Sequence, residues 1–574
     1  MPSGPYSPQR AIDDIPGISY ALHLFLASHM VESEDYCKKY DPNMERLYFA
    51  TGYGLIQFVK GMMSFEDEDL LSAINHVRHG NIIASQHRKR TASLPTRLVG
   101  LVVGSLNTSG VGFIKSMTAV ERHAELVYAE SLFEKSLLGI VYSGDWLAFI
   151  KDALNLRTTI NIYRQLGKYL EIVDAEAQAR GKGPEDSSID AHFRSGVYLG
   201  VDGLDWRIWK EPVGGRRNRR NQRLGLRKRA FTFEGVDIMM AQKILNYHKK
   251  RYPNGVFFLF GQGRLHLCQS QPALAIECYQ RAMQVQNQYR NMYNISHWEM
   301  AVANLALWDI SASLECWRNL ASDATWSKAT YTYGIAVCLL ELGGDKNCEE
   351  AGSLMEKVPN LRQRIAGKSI PLEKFVARKA RKFKHQGGRL VLPALEFAYL
   401  FLGITHMPRS IIVTKVLPLI DEVLLKLKAH ENDPSMYEDG TSYWDDLCLA
   451  NFLKGNCLRY IAYPDPDAVI DNLEKIDIPS DAEESALAAF ESVFTDGTKI
   501  SLDHYLVYYA HYEYARLLAC KGDRESARKH LELVLSGKPL EISAAARKGK
   551  YSMENALHVR AHAALEALDQ NRSL

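Results

Sequence analysis

The chain of 574 residues lacks any apolar run long enough to cross a membrane. Its longest apolar stretch, from Leu390 to Ile404, is interrupted by Pro393 and contains Glu396, whereas a spanning helix needs roughly 20 uncharged residues. The amino terminus also lacks the basic start and apolar core of a secretory signal. These absences predict a protein that is soluble, or that attaches to a membrane surface only peripherally.

The sequence also lacks the signatures of a disulfide framework or a metal site. Its nine cysteines are scattered, odd in number and without a Cys-x-x-Cys pair, which is typical of reduced cysteines in an intracellular protein. His558 and His562 lie one helical turn apart, but no Glu stands beside His558 as in a metalloprotease, and no third ligand is evident. We therefore predict that the chain holds no metal ion.

Charge is nearly balanced over the whole chain but not along it. Seventy basic and 67 acidic residues give a net charge of +3. The run Arg216–Arg229 contains eight Arg or Lys residues and no acid, a pattern that can mark nuclear localisation or nucleic-acid binding. It has no interleaved aromatic residue, and blocks of like charge repel each other and stay open. We predict a disordered, solvated insert and expect no nucleic acid as a partner.

Helical periodicity dominates the remainder, since apolar residues recur at i, i+3, i+4 and i+7 and alternating strand patterns are scarce. In a tetratricopeptide unit, a small residue of the first helix precedes an Ala of the second by twelve positions. A large residue follows four positions later, and another Ala three after that. The anchors that we predict to pack helix against helix are Gly263, Ala275, Tyr279 and Ala282, with Ala515, Ala527 and Leu531 in a looser copy. The pattern predicts an all-α fold, a right-handed α-solenoid of stacked tetratricopeptide-like helix pairs.

Two short motifs resemble nucleotide-binding loops but are incomplete. Gly367-Lys368-Ser369 lacks the first glycine of a phosphate loop, because Arg362 stands there, and Pro371 interrupts the helix that should follow. The segment 256–263 resembles a strand entering a dinucleotide turn, but His266 replaces the third glycine. We predict neither site and no cofactor. The basic residues after the first motif are interpreted as a solvated face: Lys368, Lys374, Arg378, Lys379, Arg381 and Lys382.

Several longer motifs occur in an order that points to one family. The residues that carry the resemblance are Trp326, Lys328, Gly367, Lys368, Ser369, Pro371 and Glu396, with Gly52-Tyr53-Gly54 and His123-Ala124-Glu125 in the N-terminal half. Their order resembles the tetratricopeptide repeat protein 39 family, whose fungal branch is called the inclusion-body-clearance or mitochondrial outer membrane protein family. The family pattern breaks near the basic run. We predict an N-terminal helical region over 1–200, a basic, disordered segment over 201–235 and a tetratricopeptide-like region over 236–574.

The resemblance implies a non-enzymatic adaptor without catalytic residues. It implies interaction with lipid-droplet proteins and inclusion-body components, and a part in the lipid-droplet-mediated clearing of protein inclusions after folding stress. It also implies a cytoplasmic protein, with the nucleus as a second compartment, that associates peripherally with lipid droplets or the mitochondrial outer membrane. Three alternatives stay open: a nuclear or nucleic-acid-associated factor that uses residues 216–229, a general scaffold at the mitochondrial outer membrane, and an enzyme whose site the motifs do not reveal.

Overall fold

The computed structural model describes residues 6–89, 110–142, 146–181, 190–203, 238–365, 368–438, 440–470, 478–538, 540, 551–572 and 574. The chain divides into two compact units. Unit 1 comprises Met1–Gly214 with Ile365–Lys368, and unit 2 comprises Gly215–Arg364 with Ser369–Leu574. The described residues are helical almost throughout, apart from two-residue strands β1 (Arg364–Ile365) and β2 (Lys368–Ser369), which pair with each other. The prediction of an all-α fold is confirmed.

Unit 1 begins with a 3-10 helix over Pro8–Asp14. Its described α-helices are α1 (Ile15–Leu26), α2 (Met30–Tyr40), α3 (Leu47–Ser64), α4 (Asp67–His87), α5 (Val111–Lys115), α6 (Ala119–Tyr142), α7 (Trp146–Ala179) and α8 (Ala191–Gly203). Helices α3 and α4 approach each other closely, since a Cβ at Gly80 would lie 2.9 Å from the carbonyl oxygen of Ala50. Three acidic residues lie in the first turn of α4, where their negative charge interacts favourably with the positive end of the helix dipole and stabilises the helix.

Unit 2 continues the series of helices. Its described α-helices are α9 (Ile238–Arg251), α10 (Val256–Cys268), α11 (Pro272–Val285), α12 (Met292–Ala306), α13 (Ile310–Asp323), α14 (Lys328–Leu342), α15 (Asp345–Lys357), α16 (Pro371–His385), α17 (Pro393–Leu400), α18 (Arg409–Ile411), α19 (Leu417–Lys428), α20 (Tyr443–Ala462), α21 (Ala482–Asp496), α22 (Tyr505–Lys521), α23 (Arg524–Leu535) and α24 (Glu554–Asp569). A π-helical turn over Ile412–Val416 and 3-10 turns over Pro434–Met436 and Gly497–Lys499 lie between them.

Short turns with capping residues join the helix pairs of unit 2. Gly522 ends α22 with a φ of +98°, a left-handed conformation that glycine adopts readily. The Asp523 carboxylate then accepts a hydrogen bond of 3.0 Å from the Ser526 N–H and caps α23. Helices that follow each other in sequence, among them α10 and α11, α12 and α13, and α22 and α23, pack against each other. This is the arrangement of a tetratricopeptide-like solenoid; its right-handed sense stays a prediction.

Apolar side chains are buried within each unit. In unit 2 a continuous aromatic-rich core runs from Leu267 to Leu568, and its largest fully buried side chain is Trp317. In unit 1 the described core forms smaller clusters, for example around Leu166 and around Val77. In the parts of the chain that the structure describes, no helix combines the length and the hydropathy that crossing a membrane requires.

Candidate functional site

The predicted repeat anchors lie at a close contact between α10 and α11. A Cβ at Gly263 would lie 2.5 Å from Cε1 of Tyr279, so the ring fills the space that the glycine leaves. Ala275, Tyr279 and Ala282 are all buried. The Glu299 carboxylate beyond the ring lies 2.7 Å from Arg264 and accepts a hydrogen bond of 3.5 Å from the Tyr279 hydroxyl. These contacts hold α10 and α11 against each other.

The same contact of an aromatic ring with a glycine recurs at two glycines that the sequence patterns did not single out. A Cβ at Gly334 of α14 would lie 2.7 Å from Trp317 of α13, and one at Gly455 of α20 would lie 2.8 Å from Phe490 of α21. In the looser copy, the predicted anchors Ala515, Ala527 and Leu531 are fully buried. A glycine inside a helix, with an aromatic residue on a neighbouring helix of the series, is the signal that could have identified these contacts.

The family motif around Trp326 meets the start of α16 through polar contacts. The Ser327 hydroxyl lies 3.0 Å from Glu373 Oε1, and the Ser327 N–H donates to Gln363 Oε1 at 2.7 Å. The Gln363 N–H in turn donates to the Glu373 carboxylate. Trp326 is half-buried, and Lys328 is exposed at the start of α14. The motif therefore fixes the beginning of α14 against the beginning of α16.

The remaining motif residues differ in burial, and some of them lie outside the described residues. Pro371 is exposed at the first position of α16, and Glu396 is buried in α17. Lys368 and Ser369 form β2, while their side chains and the whole of Gly367 lie outside the described residues. The basic run 216–229 lies outside them as well, so its predicted disorder stays a prediction.

Two lysines that we interpreted as solvated are buried, and this interpretation was wrong. The side chains of Lys379 and Lys382 are only 2% and 4% exposed, whereas Lys374, Arg378 and Arg381 are exposed as expected. The buried lysines follow Phe375 by four and seven positions, which places all three on one face of α16. The spacing could have revealed this, but charge alone suggested a solvated face.

Carboxylates from three segments compensate the buried lysines. Lys379 Nζ lies 2.6 Å from Glu396 of α17 and 2.8 Å from Asp503, which precedes α22. Lys382 Nζ lies 2.6 Å from the same Asp503 oxygen and 3.6 Å from Asp446 of α20. The ion pairs therefore tie α16 to α17, α20 and the start of α22.

The electrostatics of this network favour the charged forms of Lys379, Lys382 and Asp503. Burial lowers the pKa of the Lys379 and Lys382 ammonium groups, but the facing carboxylates, with Asp503 as the main contributor, together outweigh burial, so the pKa of both groups lies above the usual range. Burial raises the pKa of Asp503, but the two ammonium groups outweigh it and hold that pKa below its ordinary value. Perturbed pKa values often mark catalytic residues. Here mutual ion pairing accounts for them.

A groove lies between α15 and α16, on the solvent side of the network. Its volume is about 620 Å³. Apolar side chains, among them Met355 and Phe383, form its floor, while Glu349 and Glu356 stand on the α15 rim and Arg381 stands on the α16 rim. The only ion pair recorded between the two helices in the described chain is Lys384–Glu356, at 3.8 Å on the surface. An amphipathic segment fits a groove with an apolar floor and rims of opposite charge.

The candidate metal ligands and the cysteines show no reactive arrangement. His558 is half-buried and His562 exposed on α24, and no group of three or more potential ligands that could hold a metal occurs among the residues described. All nine cysteines have free thiols. Burial raises the pKa of several of them, for example that of Cys316 to about 11, so this thiol stays protonated.

Helix pairs of this kind, closed by ring-on-glycine contacts, define the chain as a tetratricopeptide-type helical-repeat protein. The family model for Iml2/Tetratricopeptide repeat protein 39 matches residues 19–205 and 222–461. The chain belongs to this family. It is also similar to Tetratricopeptide repeat protein ttc-39B of Caenorhabditis elegans, with 26% identity over 598 aligned residues that cover 96% of this chain and 92% of the relative. Membership supports a protein-interaction adaptor, since helical repeats present extended surfaces to other proteins.

Proposed function

We propose that the chain is a non-enzymatic adaptor that holds a segment of a partner protein in the groove between α15 and α16. By family resemblance, the partners are lipid-droplet proteins and components of protein inclusions, and the adaptor takes part in clearing inclusions after folding stress. The groove is the observation that carries the proposal, because it combines an apolar floor with rims of opposite charge.

The rigidity of the groove supports this function. Its α16 wall is fixed from behind by Lys379 and Lys382, whose carboxylate partners come from other helices and turns. The first turn of α16 is fixed by the contact between Ser327 and Glu373. A wall that is already in place loses little conformational entropy when a partner binds.

Peripheral contact with a lipid droplet is supported by α9. Met240, Ile244 and Tyr247 lie at i, i+4 and i+7 and are 47%, 51% and 65% exposed. The exposed Lys243 and Lys250 lie beside them on the helix. Apolar side chains flanked by lysines suit the surface of a lipid layer. We propose that the protein is cytoplasmic and that α9 contributes to its association with lipid droplets.

The groove is tested by reversing the charge of its basic rim. In the full chain, Arg381→Glu with Lys384→Glu should abolish the co-purification of proteins recruited under misfolding stress and slow the clearance of a misfolded reporter. The matched control is Lys426→Glu with Lys428→Glu, which changes the net charge equally at two exposed positions of α19. A thermal melt of each variant verifies that it is folded. Unchanged recruitment and clearance in the rim variant would refute the groove as the binding site.

The droplet contact is tested separately by imaging. Ile244→Glu with Tyr247→Glu should reduce the fraction of the tagged protein that surrounds lipid droplets, since two charges would then have to approach the lipid layer. Asn246→Glu adds a charge at an exposed position off that face and serves as the control. Equal droplet association of all three proteins would show that α9 makes no such contact.

A further inference from the structure

A second concave site lies within unit 1, formed by helices that take no part in the groove. It is a cleft of about 170 Å³ between α1, α3, α6 and α8. Its apolar lining includes Ile18, Leu22, Leu55, Leu126 and Val127. A cavity of roughly 150 Å³ with apolar walls accommodates a benzene ring. The cleft is therefore large enough for a small ligand with one ring.

Two carboxyl groups of α6 line this apolar cleft one helical turn apart, at Glu130 and Glu134. Glu134 is only 6% exposed, and its Oε2 has no hydrogen-bond partner in the described chain. Among the described residues that line the cleft there is no Lys or Arg. The acidic pair thus faces apolar space without an opposite charge, an arrangement that is costly unless a partner enters.

The other buried polar groups at the cleft already have partners. The Tyr48 hydroxyl shares a hydrogen bond with His123, and the Thr51 hydroxyl donates to the carbonyl of Leu47 at 2.8 Å. The Ser131 hydroxyl accepts from Asn81 at 3.0 Å. Glu134 is consequently the buried lining residue that still has an oxygen, Oε2, available for a hydrogen bond to a ligand.

We propose that the cleft binds a small apolar molecule that carries one protonated amine, with the ammonium group held by Glu134 and Glu130. The ammonium supplies three N–H donors and the missing positive charge, and the apolar body of the ligand fills the space between α1 and α3. This ligand site lies in unit 1 and is independent of the proposed adaptor groove.

Binding of an ammonium group at this site should release a proton from one of the two carboxyl groups. Burial raises the pKa of Glu130 to about 7, and burial together with the nearby Glu130 raises the pKa of Glu134 above its usual value. The groups that face the pair from other helices are the phenols of Tyr48 and Tyr163, whose pKa values burial raises, and His192 at the rim. In the empty cleft a carboxyl therefore holds a proton near pH 7, and an arriving ammonium displaces this proton into the solvent.

Calorimetry of the full chain with benzylamine and benzyl alcohol tests the proposal. The two ligands share size and ring and differ in the charge of the polar group. We expect benzylamine to bind at least about tenfold more tightly, a difference of about 1.4 kcal/mol. Binding should release a proton, measured as a dependence of the binding enthalpy on the ionisation enthalpy of the buffer. Equal affinities, absence of binding by the amine, or binding without proton release would each overturn it.

Variants place the binding in the cleft. Glu134→Gln keeps the shape of the side chain and should weaken benzylamine binding about tenfold or more. Glu171→Gln, at an exposed position of α7, should leave it within about twofold. Ser19→Trp introduces a bulky ring at an exposed position on the rim of the cleft and should block binding without disturbing the core. Undiminished binding in both Glu134→Gln and Ser19→Trp would contradict the proposed site.

Discussion

Buried carboxyl groups of the two units differ in what faces them. In unit 2, Asp503 and Glu396 lie against the ammonium groups of Lys379 and Lys382 at 2.6 to 2.8 Å. In unit 1, Glu134 faces apolar walls and a second carboxyl, and one of its oxygens has no partner in the described chain. The comparison separates two arrangements of buried carboxyl groups: in unit 2 they pair with lysines and fix helices to each other, whereas in unit 1 an unpaired carboxyl beside a cleft is the group that we propose to receive an outside cation.

Tyrosine completes the pairing in unit 2. The Tyr505 hydroxyl donates to Glu396, and the Tyr399 hydroxyl donates to Glu513 at 2.8 Å. Arg516 lies 3.1 Å from the same Glu513. Glu396 and Glu513 thus each have both a cation and a phenol as partners, which satisfies more of their lone pairs than a cation alone. The 29 tyrosines of the chain partly serve this purpose.

The largest expected effect on stability follows from breaking the buried ion pairs of unit 2. Asp503→Asn leaves Lys379 and Lys382 buried without their shared counter-charge, and we expect a loss of about 3–5 kcal/mol in the free energy of unfolding. Urea unfolding of the full chain measures it. The matched control is Asp421→Asn, because Asp421 pairs with Lys454 at the surface and should lose at most about 1 kcal/mol. Similar losses in both variants would mean that the buried network does not stabilise unit 2.

A smaller effect is expected from adding volume at one position of each unit, fully buried in unit 2 and half-buried in unit 1. Ala275 is fully buried in α11 among the helix-pair contacts of unit 2. Ala275→Leu should cost about 1–3 kcal/mol, since the extra atoms have no space. Leu22→Phe, which adds volume beside the cleft of unit 1, should stay within about 0.5 kcal/mol of the parent. Thermal melts report both, and an unchanged melt for Ala275→Leu would contradict the assigned repeat register.

The smallest expected effect is a difference between the two units in how stability depends on pH. The folded pKa of Glu134 is raised above its ordinary value of 4.5, so its contribution to stability is full below about pH 4.5 and is lost as pH rises. Glu134→Gln should therefore match the parent at pH 4.5 and exceed it by about 1 kcal/mol at pH 7.5.

Asp503 should show the opposite dependence on pH. Its folded pKa is lowered from 3.8, so its contribution is full above that pH and is lost as pH falls towards the folded pKa. The deficit of Asp503→Asn relative to the parent should then shrink in acid. Chemical denaturation of each variant at several pH values measures both profiles, and profiles of the same sign would refute the contrast between the units.

Sequence reasoning reached the fold more readily than the sites. Apolar periodicity predicted an all-α fold, and the described residues are helical almost throughout, because local spacing determines which face of a helix is buried. The cleft and the ion network depend on helices that are distant in sequence, and the groove, although its two helices are consecutive, depends on how their side chains pack. Lys379 and Asp503 are separated by 124 positions, and no periodicity reports such a distance.

The buried lysines show where the reasoning failed. Charge predicted solvation for Lys379 and Lys382, although their spacing from Phe375 placed them on the buried face of α16. Only their carboxylate partners, which come from other segments, make that burial possible. For Glu134, the sequence offered no signal beyond its spacing of four from Glu130 on an otherwise apolar face.

The most direct test asks whether the groove of unit 2 captures protein while the cleft of unit 1 does not. A photo-crosslinking amino acid replaces either Ser353, which lines the groove, or Ser19, which lines the cleft; both residues are exposed. Each protein is irradiated in cells with and without misfolding stress, and its adducts are identified by mass spectrometry. We expect protein adducts at Ser353 that increase with stress, and none at Ser19. Protein adducts at Ser19 without any at Ser353 would contradict the division of roles between the two units.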